Sequence, residues 1–242
     1  MIIMTVYLPG EKSADVAEEY VKTKASGARY LAFRDVGSLF EKYVPNNRKA
    51  LDYGAGTGLS AQFLQSHNCE VVGVDISQEM LQIAKNQCPD IEFLLIENNT
   101  IPAEPQSFDL VFSSLVLFEI ATEEGIVSYL KEAKRVLKED GIFIAVTGSE
   151  HALTRTNWTD IKTDFPENKN IISGGLGKVY LYEIGIEFND YHWTEADYRA
   201  LFPRAGLQIV EFHYPLGQQD DGFAWKDELT ISPWVVIVAK PI

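Results

Sequence analysis

The sequence predicts an α/β fold: a seven-stranded sheet, mostly parallel with an antiparallel last strand, helices on both faces and an inserted cap. From about residue 49, short apolar runs alternate with segments whose apolar residues recur at helical spacing. That alternation indicates parallel strands joined by helical crossovers. The chain has 242 residues, of which 46% are hydrophobic, and this is enough to bury one core of this kind.

The predicted elements follow one another along the chain. Apolar residues at helical intervals over residues 13–43, broken at Ser26-Gly27, predict two helices ahead of the first strand of the sheet. Gly141 is predicted to open the fifth strand. Strands are predicted at residues 49–53, 70–75, 91–96, 108–113 and 142–147, and helices at residues 59–67, 78–87 and about 123–137.

The strand and helix rhythm breaks over residues 149–193. This stretch contains a Gly174-Gly175 turn, and the alternation over residues 178–188 predicts a hairpin. We interpret it as a cap inserted over one edge of the sheet. Residues 1–242 are therefore predicted to form a single domain, in which the helices of residues 13–43 act as a lid.

The rhythm resumes after the inserted cap. Thr194 is predicted to cap a helix, with Asp197 three residues later as the carboxylate of an approximate capping box. Strands at residues 207–213 and 233–239 then complete the sheet. The acidic segment between them, residues 215–232, carries aromatic side chains and is expected to fold back onto the protein.

Charge and cysteine content exclude several classes of function. The 35 acidic and 21 basic residues give a net charge of −14, which repels a polyanion and argues against nucleic acid as a partner. The spacing of Cys69 and Cys88 matches neither a metal site nor a redox pair, so we expect reduced thiols and no metal. No apolar stretch approaches the roughly 20 residues of a membrane span. A cytoplasmic location without membrane partners is expected, and the oligomeric state is left open.

The strongest local signal is the sequence Leu-Asp-Tyr-Gly-Ala-Gly-Thr-Gly at residues 51–58, where a strand ends and a helix begins. Glycines there let the backbone approach a ligand closely, and the helix N-terminus offers free N–H groups. A nucleotide-like cofactor is implied. The dinucleotide fingerprint requires a small residue at position 59, and Leu59 therefore argues against an NAD-dependent oxidoreductase.

The acid-led GxGxG motif resembles the first motif of class I S-adenosylmethionine-dependent methyltransferases of the small-molecule type. Residues 107–114 resemble the fourth strand of that Rossmann-like family, and residues 130–141 resemble its helix and turn before the fifth strand. Dinucleotide dehydrogenases do not carry these two stretches. The resemblance covers residues 45–148 firmly and residues 205–240 loosely, and the inserted cap lies outside it.

The resemblance implies S-adenosyl-L-methionine as cofactor and S-adenosyl-L-homocysteine as product. In the family the leading acid, here Asp52, stands near the ammonium group of the cofactor. The turn of Gly54, Ala55 and Gly56 would lie under its ribose and methionine parts. Asp75, at the tip of the next strand beside Ile76, is placed to accept hydrogen bonds from a ribose diol, although an acid there also caps helices.

Further cofactor contacts follow from the same resemblance. Glu97 and Asn98 stand where the family usually has an Asp in contact with adenine, so they are a departure that still offers a carboxylate and an amide. Ser113 and Ser114 end the fourth strand. In many relatives the N-terminal helices fold over the cofactor. Tyr20 and Arg29 lie in these helices and are candidates to meet its carboxylate, or else an ordinary core tyrosine and solvated arginine.

The acceptor pocket is expected beyond the C-terminal ends of the fourth and fifth strands. Residues 114–119, residues 149–151 and part of the inserted cap would form its walls. His151 directly follows the fifth strand and is the candidate general base, with an ordinary loop histidine as the alternative. Glu119 is a candidate to orient an acceptor hydroxyl or cation, or is an exposed carboxylate at a helix start.

Absent motifs narrow the acceptor. Phe112 is followed by Ser-Ser-Leu-Val, without the Asn/Asp-Pro-Pro-aromatic sequence that relatives use on planar nitrogens, and no loop cysteine is suited to attack a pyrimidine. With the acidic charge, this favours methyl transfer to a small-molecule O or N acceptor by in-line displacement. The alternatives are a methyltransferase acting on a protein or tRNA and a non-catalytic S-adenosylmethionine-binding protein.

Overall fold

The computed structural model describes residues 6–7, 27–44 and 48–242. The elements in chain order are β1 (Val6–Tyr7), α1 (Gly27–Phe33), α2 (Val36–Tyr43), β2 (Lys49–Tyr53), α3 (Leu59–Ser66), β3 (Glu70–Asp75), α4 (Gln78–Gln87), β4 (Glu92–Leu95), β5 (Phe108–Ser114), α5 (Glu123–Val136), β6 (Leu137–Gly148), β7 (Ile161–Lys162), β8 (Leu176–Leu181), β9 (Ile186–Tyr191), α6 (Glu195–Arg204), β10 (Leu207–His213) and β11 (Trp234–Pro241). Short 3₁₀ turns lie at Leu117–Glu119, Pro166–Asn168 and Asp227–Leu229.

The large sheet has the strand order β10-β11-β6-β5-β2-β3-β4. The pairs from β6 to β4 are parallel, whereas β11 is antiparallel to both β6 and β10. This confirms the predicted seven-stranded α/β sheet with its antiparallel last strand. Its central strands are buried on both faces, which explains why they read as continuous apolar runs in the sequence.

Helices on both faces of the sheet build two hydrophobic clusters. One surrounds α5 and α6 and includes Tyr129 and Phe202, while the other surrounds α2, α3 and α4 and includes Phe40 and Leu81. Side chains cap three of the helices. Ser77 caps α4, Thr122 caps α5, and the predicted Thr194–Asp197 capping box begins α6. The helix starts therefore follow from local sequence.

The beginning of β6 differs from the prediction. Gly141 does not open this strand, because β6 starts directly after α5 at Leu137. Leu137 pairs with Phe108 across a register shift in β5, so the chain enters the sheet four residues early. Gly141 lies inside the strand, where a Cβ would stand 3.1 Å from the carbonyl oxygen of Asp109. A pairing partner distant in sequence, and not the glycine, fixes this boundary.

A second sheet is formed by the inserted cap and the start of the chain. Its order is β1-β9-β8-β7, with β1 parallel to β9 and the other pairs antiparallel. The hairpin predicted over residues 178–188 is confirmed, and its strands extend to Leu176 and Tyr191. The sequence did not predict β1, because a strand of two residues leaves too short a pattern. Leu153, Trp158, Ile161 and Val179 form a core within the cap.

The N-terminal helices and the segment of residues 215–232 pack against each other. Of the two helices predicted over residues 13–43, the one before Ser26-Gly27 lies outside the described residues, and the one after it is divided at Arg34-Asp35 into α1 and α2. His213 on β10 lies 2.8 Å from Asp35, which precedes α2. The segment of residues 215–232 folds back as predicted, and the ring centroids of Trp225 and Tyr30 on α1 are 6.4 Å apart. The start of α1 is thereby held close to the C-terminal ends of the strands.

Candidate functional site

The glycine turn connects β2 to α3 and forms the floor of a cavity. Gly54 has a φ of 86°, and a Cβ on it would stand 2.4 Å from Cγ2 of Val116. Gly56 also adopts a positive φ, and no heavy atom lies within 4 Å of the position that its Cβ would take. The turn therefore needs glycine for the backbone and leaves open space above Gly56, as close approach of a ligand requires.

Asp75 at the end of β3 braces this turn. Its Oδ2 accepts a hydrogen bond from the backbone N–H of Gly56 at 2.8 Å, and its Oδ1 accepts one from Ser77 N at 2.9 Å. The N-cap of α4 is Ser77, whose Oγ accepts a hydrogen bond from Met80 N at 3.2 Å. Asp75 is therefore not the helix cap. This residue lines the cavity.

This first cavity, which we call the cofactor cavity, has a volume of about 270 Å³. It brings together eight of the residues singled out in the sequence, namely Arg29, Gly54, Ala55, Gly56, Asp75, Ile76, Ser114 and Glu119. Four others do not line it: Asp52, Glu97, Asn98 and Ser113. Tyr20 lies outside the described residues.

Asp52 is fully buried beneath the cavity floor. Its Oδ2 accepts a hydrogen bond from Ser60 Oγ at 2.7 Å, and Ser60 itself lines the cofactor cavity. Its Oδ1 has no hydrogen-bond partner among the described residues. Burial raises the pKa of Asp52 to about 7. A buried carboxylate with one unpaired oxygen next to a cavity favours a ligand that brings a positive charge.

The structure departs from the sequence prediction at the end of β4. Asn98 and Asn99 both have positive φ values, 51° and 55°, and this turn leaves the side chains of Glu97 and Asn98 exposed. Ile96 and Asn99 line the cavity in their place. Ser113 is directed into the core, where its Oγ is hydrogen-bonded to the Tyr129 hydroxyl at 2.8 Å. Asparagine adopts the left-handed region more readily than most residues, so the Asn98-Asn99 pair was the local signal for this turn.

Aromatic and apolar residues of the cofactor cavity were also missed. Tyr53 and Tyr129 stack with ring centroids 3.9 Å apart and an interplanar angle of 10°. Met80 lines the cavity from α4. The position of Met80 in the first turn of the helix after Asp75 was the one available signal. Tyr129 donates a hydrogen bond to the carbonyl oxygen of Tyr53, which is 76 residues away in sequence, so no local pattern indicated that it belongs to the site.

A second cavity of about 110 Å³ lies between the large sheet and the inserted cap. We call it the acceptor cavity. Leu115, Phe118, Glu119 and Ser149 form its wall on the side of the sheet, as expected from the strand ends. The cap and β11 contribute mostly apolar side chains, among them Leu153, Ile161, Val179, Leu181, Phe188, Tyr191, Trp193 and Trp234. Arg29, Leu115 and Glu119 line both cavities, which therefore meet at these three side chains.

The histidine predicted as general base does not line the acceptor cavity. A turn closed by the hydrogen bond from Ala152 N to Ser149 O keeps those two residues on the wall and takes His151 away from it. The His151 side chain is 38% exposed and lies 3.9 Å from Glu150. His192, which precedes the cap of α6, lines the cavity and is 6% exposed.

The surroundings of His192 suit it to act as a base. Burial lowers the pKa of His192, and the carboxylates of Asp197 and Glu150 oppose this shift only in part. Its imidazole is therefore neutral near pH 7 and able to accept a proton. In the sequence, His192 stands just before a predicted helix cap and carries no other signal. Its place on the cavity wall depends on the hairpin of the inserted cap.

Leu115 occupies an unusual backbone conformation where the cavities meet. Its φ is 60°, and its N–H donates to the carbonyl oxygen of Val146 at 2.8 Å. The left-handed region costs a residue with a side chain about 1 to 2 kcal/mol. Strain of this kind persists only where neighbouring structure holds it and is typical of functional sites.

Comparison with known proteins agrees with this geometry. A family model described as a methyltransferase domain matches residues 50–141. Over 100 residues, the chain is 36% identical to demethylmenaquinone methyltransferase of Tropheryma whipplei. The matched segment covers 40% of this chain and 41% of that protein. The chain is 29% identical over 111 residues to the ubiquinone/menaquinone biosynthesis C-methyltransferase UbiE of Campylobacter jejuni, covering 43% and 46%.

Over residues 50–141 this chain is therefore similar to a methyltransferase domain. The fold agrees, because the PH0226 protein from Pyrococcus horikoshii OT3 superimposes with a TM-score of 0.65 over 93% of this chain and 99% of that one, at 20% identity. The chain spans less than half the length of each of these two curated relatives. The match ends before the inserted cap, so it includes most residues of the cofactor cavity but, of the acceptor cavity, only Leu115, Phe118 and Glu119.

The cofactor of the family is S-adenosylmethionine, and the residues present fit it. The unpaired Oδ1 of Asp52 suits the ammonium group of the cofactor, and the open space above Gly56 suits its close approach to the backbone. The described residues hold no group of His, Cys, Asp or Glu side chains arranged to bind a metal. In the same part of the chain, no helix is both long and apolar enough to cross a membrane.

Proposed function

We propose that this methyltransferase transfers a methyl group to an O or N atom of a small molecule held in the acceptor cavity. One observation carries the proposal: the cofactor cavity and the acceptor cavity meet at Arg29, Leu115 and Glu119. A donor and an acceptor bound on either side of these residues would face each other, and alignment is the main requirement for transfer of a methyl group.

The chain's own residues would hold the cofactor in the following way. Asp75 already accepts two backbone hydrogen bonds, and its two carboxylate oxygens retain lone pairs for a ribose diol. Asp52 would balance the positive ammonium group from below the floor. Arg29 would pair with the carboxylate of the cofactor. S-adenosylmethionine, when bound, supplies a methyl group made electrophilic by its sulfonium.

The acceptor cavity suits an apolar group of modest size. Its aromatic and aliphatic walls would strip water from an acceptor, and the polar and charged residues among them would orient it, namely Arg29, Glu119, Ser149, Asp160, Glu183, Asp190 and His192. We propose His192 as the base that removes a proton from an acceptor hydroxyl or ammonium, because it is the neutral imidazole on the cavity wall. Glu119, on the boundary, would orient the acceptor's polar group.

A second candidate is carbon methylation of a quinol-like ring. It is favoured by the similarity to the demethylmenaquinone methyltransferase of Tropheryma whipplei and to the C-methyltransferase UbiE of Campylobacter jejuni, and the aromatic walls of the acceptor cavity would stack against such a ring. His192 has the same role in either case, since a phenolic carbon becomes nucleophilic when its hydroxyl is deprotonated. Methylation of a protein or tRNA is disfavoured by the small volume of the cavity and by the net charge of −14.

The first test is isothermal titration of the protein with S-adenosylhomocysteine and, in parallel, with NAD. We expect micromolar binding of the former alone. A screen for methyl transfer would then offer phenols, amines and quinols with ¹³C-methyl-labelled S-adenosylmethionine. The chemical shift of the transferred methyl identifies the atom that receives it. Binding of NAD alone would overturn the proposal, and a methyl carbon bonded to a ring carbon would replace it by the second candidate.

A further inference from the structure

The residue before Arg29 is held at both of its backbone groups by side chains from distant parts of the chain. The N–H of Ala28 donates to Oδ2 of Asp160 at 3.2 Å, and its carbonyl oxygen accepts a hydrogen bond from Nε1 of Trp234 at 2.8 Å. Asp160 belongs to the inserted cap, 132 residues away, and Trp234 begins β11, 206 residues away. We call this arrangement the Ala28 clamp.

The space around the clamp is closely filled. A Cβ on Gly27 would stand 2.8 Å from Oδ2 of Asp160 and 2.9 Å from the ring of Trp225. Gly27 is buried, and α1 begins at this residue. The first turn of α1 therefore fits a socket made by the inserted cap, the segment of residues 215–232 and β11. Its position is fixed by contacts and not by the helix alone, which has seven residues.

Arg29, the next residue along the chain, lines both cavities. Among the described residues that line the cofactor cavity, it is the one with a basic side chain. A cofactor that carries an amino acid group presents a carboxylate and an ammonium, and buried Asp52 already provides negative charge on one side. Charge complementarity leaves the carboxylate for Arg29, provided that its backbone is held at the correct place.

We propose that Asp160 and Trp234 are positioning residues for the cofactor: they fix the backbone at Ala28 so that Arg29 binds the carboxylate of S-adenosylmethionine. This inference rests on the proposed function. The inserted cap then serves cofactor binding as well as acceptor binding, because Asp160 belongs to it. Asp160, Trp234, Ala28 and Arg29 also line the acceptor cavity, so the clamp connects the two sites physically.

Two ligands separate positioning from a general structural role. S-adenosylhomocysteine carries the amino acid group, whereas 5′-methylthioadenosine shares the nucleoside and the sulfur but lacks the carboxylate. We expect Arg29→Ala to weaken the first at least tenfold and to leave the second within twofold. Asp160→Ala and Trp234→Phe should each weaken S-adenosylhomocysteine about fivefold, corresponding to one hydrogen bond, with 5′-methylthioadenosine again unaffected.

Matched controls are available in the same chain. Asp164→Ala removes an exposed carboxylate of the inserted cap that lines neither cavity, so this variant should bind both ligands normally. Asp160→Asn keeps a side-chain oxygen that can accept from Ala28 N and should restore most of the affinity lost in Asp160→Ala. In the Arg29→Ala background, the substitutions Asp160→Ala and Trp234→Phe should have no further effect on S-adenosylhomocysteine binding.

The outcomes distinguish this inference from the proposed function. Failure of the wild-type protein to bind S-adenosylhomocysteine overturns both. If the wild type binds and the clamp variants weaken both ligands equally, the clamp is only structural and the inference is overturned alone. The inference is also overturned if Asp160→Ala or Trp234→Phe weakens S-adenosylhomocysteine binding further in the Arg29→Ala background. It is overturned likewise if Arg29→Ala binds S-adenosylhomocysteine as tightly as the wild type, and Arg29 would then be assigned to the acceptor.

Discussion

The two cavities are built in different ways, although they share three side chains. The cofactor cavity is formed by consecutive strand ends and the turns that follow them, so its main groups lie within residues 53–80 and on β5. The acceptor cavity is assembled from α1, the residues that follow β5, the end of β6, the inserted cap and β11, which are far apart in sequence. Binding by backbone turns at strand ends leaves a local sequence pattern. Binding by side chains that the fold brings together leaves none.

The largest expected effect lies in the acceptor cavity. With the acceptor found by the screen, His192→Asn should lower the rate of methyl transfer roughly 10²- to 10⁴-fold, because a positioned base is lost. Affinity for S-adenosylhomocysteine should be unchanged. His151→Asn is the matched control, since His151 lies off the cavity wall and its replacement should leave the rate intact. Equal rates for the two variants would remove His192 from the mechanism.

The pH dependence provides a second measurement on His192. Burial holds the pKa of this imidazole below its usual value, so the base is neutral down to a lower pH than an exposed histidine would be. At saturating S-adenosylmethionine, where the titration of Asp52 no longer limits binding, we expect the transfer rate of the wild type to stay constant through pH 7 and to fall only as the pH drops below the ordinary histidine range. A rate that still rises between pH 7 and pH 8 would indicate another base.

The second largest effect is expected at Asp75. Asp75→Ala removes two hydrogen bonds that brace the glycine turn and Ser77, and it also removes those proposed to the ribose. Hydrogen bonds to charged groups contribute about 1.5 to 3 kcal/mol each, so the Kd for S-adenosylhomocysteine should rise at least tenfold and towards 100-fold. Isothermal titration measures it. Asp90→Ala, on an exposed carboxylate outside the cavity, is the control and should bind normally.

These two variants also define how far the sequence predicts the site. Asp75 was predicted because an acid at the tip of the second strand is local information, and the structure places it on the cavity wall. His192 was not, because the turn after β6 takes His151 away from the wall and the hairpin of the inserted cap brings His192 to it. The sheet order was predicted correctly, whereas β1 and the start of β6 depended on pairing partners that no local pattern reveals.

A moderate effect is expected from the titration of Asp52. With a pKa of about 7, the ionised fraction of Asp52 rises from about one-tenth at pH 6 to about nine-tenths at pH 8. A cationic ligand group binds the ionised form, so S-adenosylhomocysteine should bind about tenfold more tightly at pH 8 than at pH 6, releasing a proton below pH 7. Titrations in buffers of different ionisation enthalpy detect that proton. Asp52→Asn should abolish both the pH dependence and the proton release.

The same group makes a prediction about folding. The pKa of Asp52 is raised on folding, so between about pH 4 and pH 7 the folded chain keeps a proton that the unfolded chain has lost. The free energy of unfolding of the wild type should therefore fall as the pH rises through this range, and Asp52→Asn should lack this contribution. Urea denaturation of both proteins at pH 5 and pH 8 measures the difference. The free energy of unfolding of Asp52→Asn minus that of the wild type should be larger at pH 8 than at pH 5. A difference that does not increase would contradict the raised pKa of Asp52.

The smallest effect concerns Leu115, where the two cavities meet. At most positions alanine is more stable than glycine, because glycine loses more backbone entropy on folding. At a φ of 60° the order should reverse, since glycine adopts the left-handed region freely and alanine does not. We expect Leu115→Gly to be about 1 kcal/mol more stable than Leu115→Ala in urea denaturation, with both below the wild type because buried contacts are lost. If Leu115→Ala were more stable than Leu115→Gly, the backbone at this position would have relaxed out of the left-handed region once the leucine side chain was removed. The packing of the Leu115 side chain between the cavities, and not the end of β5, would then be the cause of the strain.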